Sequence, residues 1–530
     1  AALAATAPPH TLPDLWSTAA ATILPLATDS FHLNPPQRAL AKPPPTLLNP
    51  SAAPIVHDTE GWRALETSLA ALDCLLRNRV AAYLLAHEPE NDLLAQAREL
   101  AVESRRHTNR FIREIGLRVV ATLLAAVGRP AEDGGAQMAR WATGYGVEEV
   151  IAAGLQDNWS QVRYAASVAA RTLLMRVAED AVMDGVREAL YPVMLPRMCL
   201  NRHYVAEGVK IYSQESWRLV MGESGKEKLL AVLPRVVEYF VEQCDADNHA
   251  VREAACMAMT EVSIRLDAGE VRQFVAPMVR ALVDCCKDES WPVRDHACSA
   301  CALIVLHYGH EVEAAGVLSE LFDLWKAHLA DNIPSVRENS ARAMATAALA
   351  FPADHPVCGL RRAVAVCQET LPAVRDQPKD STRFGNLADA THYGAAHKLA
   401  RDNDPDLHTD QVTYSCGSLA PKLRRGGGCM DHGFSRPKEP WEVTDGALRL
   451  WKCLMLPNPD EYAVARPEVV AESREFACSI FANVVDIGLY MDAGSGGSQF
   501  AHAAHLLETF WNRIADAAPV MGPNLLSVYL

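Results

Sequence analysis

A short signature recurs along this 530-residue chain and constrains its fold more than any other feature. Val162-Arg163 is followed by Ala165 and Ala166, Val251-Arg252 by Ala254 and Ala255, Val293-Arg294 by Ala297, and Val336-Arg337 by Ser340. Ile112-Arg113 precedes them, and Val205-Ala206 reads as a weaker copy without the Arg. The anchors at 112, 162, 205, 251, 293 and 336 lie 50, 43, 46, 42 and 43 residues apart, the period of a two-helix repeat.

The surrounding residues agree with that period. From about Glu60 to Cys367, apolar residues fall at spacings of 3, 4 and 7, which is helical patterning with little strand-like alternation. Seven residues past each anchor stand Val119, Ala169, Tyr212, Ala258, Ala300 and Ala343; most are small, so stacked helices can approach closely. Five residues before three anchors stands an acid, Asp157, Asp288 or Asp331, and Asp245 and Asp247 flank that place in a fourth copy. Pro292 and Pro334 fall in the first helical turn, where a missing N–H costs nothing.

On these residues the chain resembles the HEAT-repeat, armadillo-like family of α-solenoids, most clearly over residues 105 to 350. Members open the second helix of each repeat with an Asp in the turn and a Val-Arg pair that ends six residues later. Asp157 with Arg163, Asp288 with Arg294, and Asp331 with Arg337 match that spacing, and Arg252 stands in the corresponding place. The resemblance implies that these side chains form a structural ladder between neighbouring repeats. Ala206 lacks the ladder cation, and Val374-Arg375-Asp376 echoes the signature but runs into Gln377-Pro378, so it reads as a helix end.

The expected fold is all-α, an α-solenoid of stacked two-helix HEAT-like repeats with an irregular segment towards each end. Residues 1–59 read as a Pro-rich extended arm, because residues 1 to 54 carry 11 of the 32 prolines. Residues 60–370 form the repeat array. Residues 371–440, with Gly426-Gly427-Gly428 and four prolines from Pro405 to Pro440, read as an irregular insertion. Residues 441–530 return to helical repeats that cap the array.

Composition narrows the function. Lys plus Arg number 50 against 65 for Asp plus Glu, a formal charge of −15, which opposes phosphate-backbone binding, so no nucleic-acid partner is expected. No apolar run approaches the roughly 18 to 20 residues of a membrane helix, so no membrane insertion is expected. The 14 cysteines are scattered through helix-like stretches, as expected of small buried hydrophobes in a reducing compartment. Residues 1 to 37 contain no Arg or Lys, unlike a retained presequence. The expected location is cytoplasmic, on the cytoskeleton or cilium, with an organelle after presequence removal as the alternative.

Several partial motifs fail on chemical grounds. Gly222-Glu223-Ser224-Gly225-Lys226 lacks both the first glycine of a phosphate loop, being Val220 there, and its metal-binding hydroxyl, being Glu227. Asp402, Asp404 and Asp406 have calcium-loop spacing without the turn glycine or the twelfth-position Glu. Cys416, Cys429 and His432, with His408 nearby, offer soft zinc ligands but lack paired CxxC knuckles, so a packed loop is favoured. His296, Cys298, Cys301 and His307 share one helix, where buried thiols are the expectation. With no Gly-x-Ser-x-Gly elbow and no local Cys-His signature, neither enzyme activity nor a cofactor is expected.

One charge feature departs from the acidic whole. Lys422, Arg424, Arg425, Arg436 and Lys438 face only Asp431 and Glu439, a local cationic patch suited to an acidic protein surface or tail. The function expected is a non-enzymatic protein–protein scaffold or adaptor in a large assembly, cytoskeletal or ciliary. A cargo-wrapping transport or chaperone-type receptor and a regulatory subunit of an enzyme complex are the alternatives.

Overall fold

The computed structural model of the chain describes residues 11–33, 62–77, 79–86, 92–128, 135–178, 181–376, 438, 440–456, 467–495, 512 and 515. Every regular element among the described residues is helical. The chain divides into two compact units between Tyr239 and Phe240.

The first unit holds α1 (Leu12–Leu33), α2 (Trp62–Leu76), α3 (Arg79–Ala86), α4 (Asp92–Glu103), α5 (Arg110–Ala126), α6 (Val147–Leu155), α7 (Ser160–Val177), α8 (Asp184–Asn201) and α9 (Glu207–Met221). Helix α10 (Leu233–Gln243) spans the division. The second holds α11 (His249–Arg265), α12 (Val275–Cys286), α13 (Trp291–Ala314), α14 (Leu318–His328), α15 (Pro334–Ala350), α16 (Leu360–Thr370), α17 (Pro440–Met455), α18 (Pro467–Ser479) and α19 (Phe481–Ser495).

In each unit the signature helices stack on one another: α5 on α7 on α9 in the first, and α11 on α13 on α15 on α17 in the second. The helix before each of α5, α7, α9, α13, α15 and α17 packs along its flank, giving the stacked two-helix units of a HEAT-type α-solenoid. Small residues permit the close approach. A Cβ on Gly154 of α6 would stand 2.7 Å from the Cβ of Ala166 on α7, and one on Gly446 of α17 would stand 2.0 Å from the Leu329 carbonyl oxygen.

The turn residues start the signature helices. Asp157, Asp288 and Asp331 each accept, through Oδ1, the backbone N–H two residues on, from Trp159 at 2.9 Å, Ser290 at 2.8 Å and Ile333 at 2.9 Å. Asn109 and Asn248 serve the same purpose two places nearer the helix, accepting from Phe111 N at 2.9 Å and Ala250 N at 3.0 Å. Each bond satisfies a backbone donor that the first helical turn leaves open.

Two expectations are corrected. The extended arm read over residues 1–59 is helical over Leu12–Leu33, where Trp16, Ala20, Leu24 and Ala27 form one buried stripe that packs on α2 and α4. Pro25 removes one helical hydrogen bond inside it, and the buried stripe offsets that loss. The prolines that suggested extension cluster mainly outside 12–33.

The second correction concerns register. Measured from helix onset, the copy expected at Val205-Ala206 is Val209-Lys210: Val209 is 1% exposed, whereas Val205 is 49% exposed and precedes the helix. The anchors then stand 47 residues after Val162 and 42 before Val251. Val205-Ala206 was the wrong pair because it matches in composition and not in position within the helix.

Candidate protein-interaction face

The arginines of the signature are committed to holding the repeats together. Arg113, Arg252 and Arg294 each grip both carboxylate oxygens of the next repeat's turn acid through Nε and Nη2. The distances are 2.7 and 3.1 Å to Asp157, 2.6 and 2.9 Å to Asp288, and 3.1 and 3.2 Å to Asp331. Nη1 turns back to carbonyls of its own turn: His107 and Thr108 at 2.8 and 2.7 Å, Ala246 and Asp247 at 2.7 and 3.0 Å, Asp288 and Glu289 at 2.8 and 2.9 Å. The six-residue spacing from acid to arginine therefore sets a backbone bond within one repeat. The side-chain pair joins neighbours.

Two rungs differ. Arg163 is fully buried and reaches no carboxylate among the described residues; Nη1 donates to Asn201 Oδ1 at 2.5 Å and to the Leu155 carbonyl at 3.0 Å, and the guanidinium lies 4.2 Å from the centre of the Tyr204 ring. Tyr204 occupies the place that an Asp holds elsewhere. Arg337 donates from Nη1 to the Asp331 carbonyl at 2.6 Å and from Nε to Asp445 Oδ2 at 2.8 Å, with Glu442 3.5 Å away. Here the acids come from α17 itself, because residues 377–439 lie between α16 and α17. Arg449 also donates to Asp445 at 2.8 Å and pairs with Glu338. Burial opposes the charge of Arg252, and the Asp288 carboxylate outweighs it, so the guanidinium pKa lies above its ordinary value.

With the inner positions consumed by packing, recognition is left to what the signature helices turn outward. In the first unit α7 presents Tyr164, 44% exposed, and Met175, 54% exposed; α9 presents Ile211, 58% exposed, and Leu219, 46% exposed. Tyr164 meets Tyr212 edge-on, with ring centres 5.1 Å apart. Arg171 lies between the two helices, its guanidinium 3.6 Å from the centre of the Tyr212 ring. It is fixed by bonds to Ser216 Oγ at 2.7 Å, Glu215 Oε2 at 2.9 Å and the Tyr212 carbonyl at 3.0 Å. Burial, only partly countered by Arg171, raises the Tyr212 hydroxyl pKa, so the ring stays neutral. The result is a pair of helices that expose aromatic and aliphatic side chains beside an arginine whose rotamer is held by hydrogen bonds.

The sequence carried a signal for this face. Two residues beyond the anchors, on the outward side, the repeats read Glu114, Tyr164, Ile211, Glu253, Asp295 and Glu338. Charged residues there keep a helix face wet, and the two apolar exceptions are neighbours in the stack. Anchoring the third copy at Val205 put Glu207 at this position and hid Ile211.

The remaining sequence candidates fall as follows. Lys438 is exposed and donates to the Ala327 carbonyl at 2.9 Å; Lys422, Arg424, Arg425 and Arg436 lie outside the described residues, as do Asp402, Asp404, Asp406, His408, Cys416, Cys429 and His432. Gly222–Ser224 is a single turn, with Gly222 at φ +54°, leading into the short helix Gly225–Ala231. Cys298 and Cys301 are buried, Cys298 Sγ standing 3.6 Å from His328 Nδ1. Among the described residues one cluster has metal-ligating character, Cys244 with Cys256 and Cys285 in the second unit. No described helix is long and apolar enough to cross a membrane.

No curated protein sequence matches the chain. Among solved structures it is similar to an engineered protein, at 13% identity over 87% of this chain and 96% of that one, with a TM-score of 0.30. It is also similar to importin β, at 14% identity over 88% of this chain and 60% of that one, TM-score 0.31. The corresponding values for the Kap95:Nup1 complex are 12% identity, 98% and 64% coverage, and a TM-score of 0.29. Residues 224–345, less than a quarter of the chain, match the family described as the Vacuolar 14 Fab1-binding region.

Proposed function

We propose that the chain is a non-enzymatic scaffold or adaptor that binds other proteins within a larger assembly in the cytoplasm. The observation that carries this reading is the α7–α9 face, where Tyr164, Ile211, Met175 and Leu219 are exposed on two packed repeat helices and Arg171 stacks on Tyr212. Tyrosine and arginine anchors fixed on a rigid element are the residue types that dominate protein interfaces. Exposed apolar side chains gathered on neighbouring helices support an interaction site. The family matched by residues 224–345 is itself described as a binding region, which supports the same class of function.

The basic stretch Lys422, Arg424, Arg425, Arg436 and Lys438 is proposed as a second, salt-sensitive contact for an acidic protein surface or tail. A cytoskeletal or ciliary setting, whose surfaces carry acidic tails, is the setting proposed for that contact. The test of the main face is the pair Tyr164→Glu and Ile211→Glu in the full chain. Binding to the native assembly is expected to fall at least about tenfold, with helical content and melting temperature unchanged. Full incorporation of a folded double variant would remove the α7–α9 face from the account.

A further inference from the structure

Cys244, Cys256 and Cys285 come from three different elements: the turn after α10, the middle of α11, and the end of α12. All three are buried and unoxidised, and their sulfur atoms lie within 4.8 Å of one another. A disulfide needs a separation of about 2 Å. Three thiolates around one ion at a metal–sulfur distance of about 2.3 Å stand about 4 Å apart. The cluster therefore has nearly the spacing of an S3 metal site, and small inward movements complete it.

We propose that Cys244, Cys256 and Cys285 form a three-coordinate site for a soft, thiophilic cation, monovalent copper. Thiolate sulfur selects soft ions over magnesium, calcium or manganese. Zinc is disfavoured because it takes four ligands. The acid beside the cluster, Asp288, already has both oxygens engaged, by Arg252 at 2.6 and 2.9 Å and by the Ser290 N–H at 2.8 Å. It is not free to become a fourth ligand.

Arg252, fixed on Asp288 beside the cluster, brings a positive charge to the site. Its field acts on Cys244 and Cys285 and offsets part of the negative charge that binding creates. The thiols give up protons to solvent as the ion enters, and the copper remains in its monovalent state throughout. The ordinary alternative is that three small side chains fill a core; that alternative requires no convergence of the sulfur atoms and no response to metal.

The experiment uses the reduced full-length chain under anaerobic conditions. It is titrated with monovalent copper against a colorimetric copper chelator, with zinc chloride as a parallel arm. One tightly held copper is expected, with X-ray absorption showing three sulfur neighbours. Copper should slow pulse alkylation of Cys244, Cys256 and Cys285 at least about tenfold and leave the isolated buried Cys367 unaffected. Cys256→Ala and Cys285→Ser should each weaken copper binding at least about a hundredfold, whereas Cys367→Ala should not. Retention of copper by both cluster variants, alkylation rates at the three cysteines that ignore copper, or zinc bound in preference to copper would each overturn the site. The alkylation map of the unmutated chain decides the matter even where a variant fails to fold.

Discussion

Arg252 Nε lies 2.6 Å from Asp288 Oδ2, thirty-six residues along the chain and one repeat away, and both side chains are almost fully withdrawn from solvent. Arg294 makes the same contact with Asp331 at 3.1 Å, but its side chain remains 16% exposed. The two rungs have one geometry and different burial, so burial alone should rank the cost of breaking them. Arg252→Ala strands a buried carboxylate and is expected to destabilise the second unit by about 3–5 kcal/mol. Arg294→Ala should cost about 1–3 kcal/mol, because water can reach the orphaned Asp331. Denaturant titration of both variants tests the ranking; equal losses would show that burial does not set the strength of a rung.

Arg163 offers a different test, since its buried charge rests on the Asn201 amide oxygen, two backbone carbonyls and the Tyr204 ring. Asn201→Leu preserves volume and removes the side-chain acceptor. The expected loss is about 2–4 kcal/mol, from a charged group left short of a partner. A melting temperature equal to that of the parent chain would mean that Tyr204 and the carbonyls suffice.

Gly446 probes the contact between α17 and Leu329, the residue that caps the end of α14. A Cβ there would sit 2.0 Å from the Leu329 carbonyl oxygen and 2.8 Å from the Leu329 Cβ, and backbone cannot move aside as a side-chain tip can. Gly446→Ala is therefore expected to destabilise by about 1–3 kcal/mol, despite the better helix propensity of alanine. Thermal unfolding of this single variant measures the balance, and a gain in stability would show that α17 is free to shift.

These residues also show how much was legible beforehand. The period, the small inner positions and the turn acids could be read from sequence because each is enforced by local geometry: helix onset, close packing, and an Asx-type bond to the N–H two residues on. The partner of each arginine was less visible, since the six-residue spacing reports Nη1 bound to a carbonyl and the carboxylate contact crosses to the next repeat. At Arg337 the partner Asp445 lies 108 residues away, and no local pattern could connect them. Helix α1 was hidden by proline content, although Trp16, Ala20, Leu24 and Ala27 held the stripe. The α7–α9 face was missed through a four-residue error in register, which exchanged Ile211 for Glu207.

The basic stretch makes a separable prediction. Reversing Lys422, Arg424 and Arg425 to Glu should leave helical content intact and weaken entry into the assembly. Raising salt on the parent protein should reproduce that defect, because exposed ion pairs are screened beyond about 10 Å at 0.1 M. Assembly that is insensitive both to the reversal and to salt would assign these cations to ordinary solvation.

The central claim is that partners dock on the outward faces of α7 and α9. Amide hydrogen exchange of the chain, alone and within its native assembly, tests it most directly. The account predicts slowed exchange in the assembly across residues 160–177 and 207–221, with little change in α11, α13 and α15. Unchanged exchange in α7 and α9, with protection confined to residues 1–50 and 422–438, would contradict it and place binding in the segments that flank the repeats.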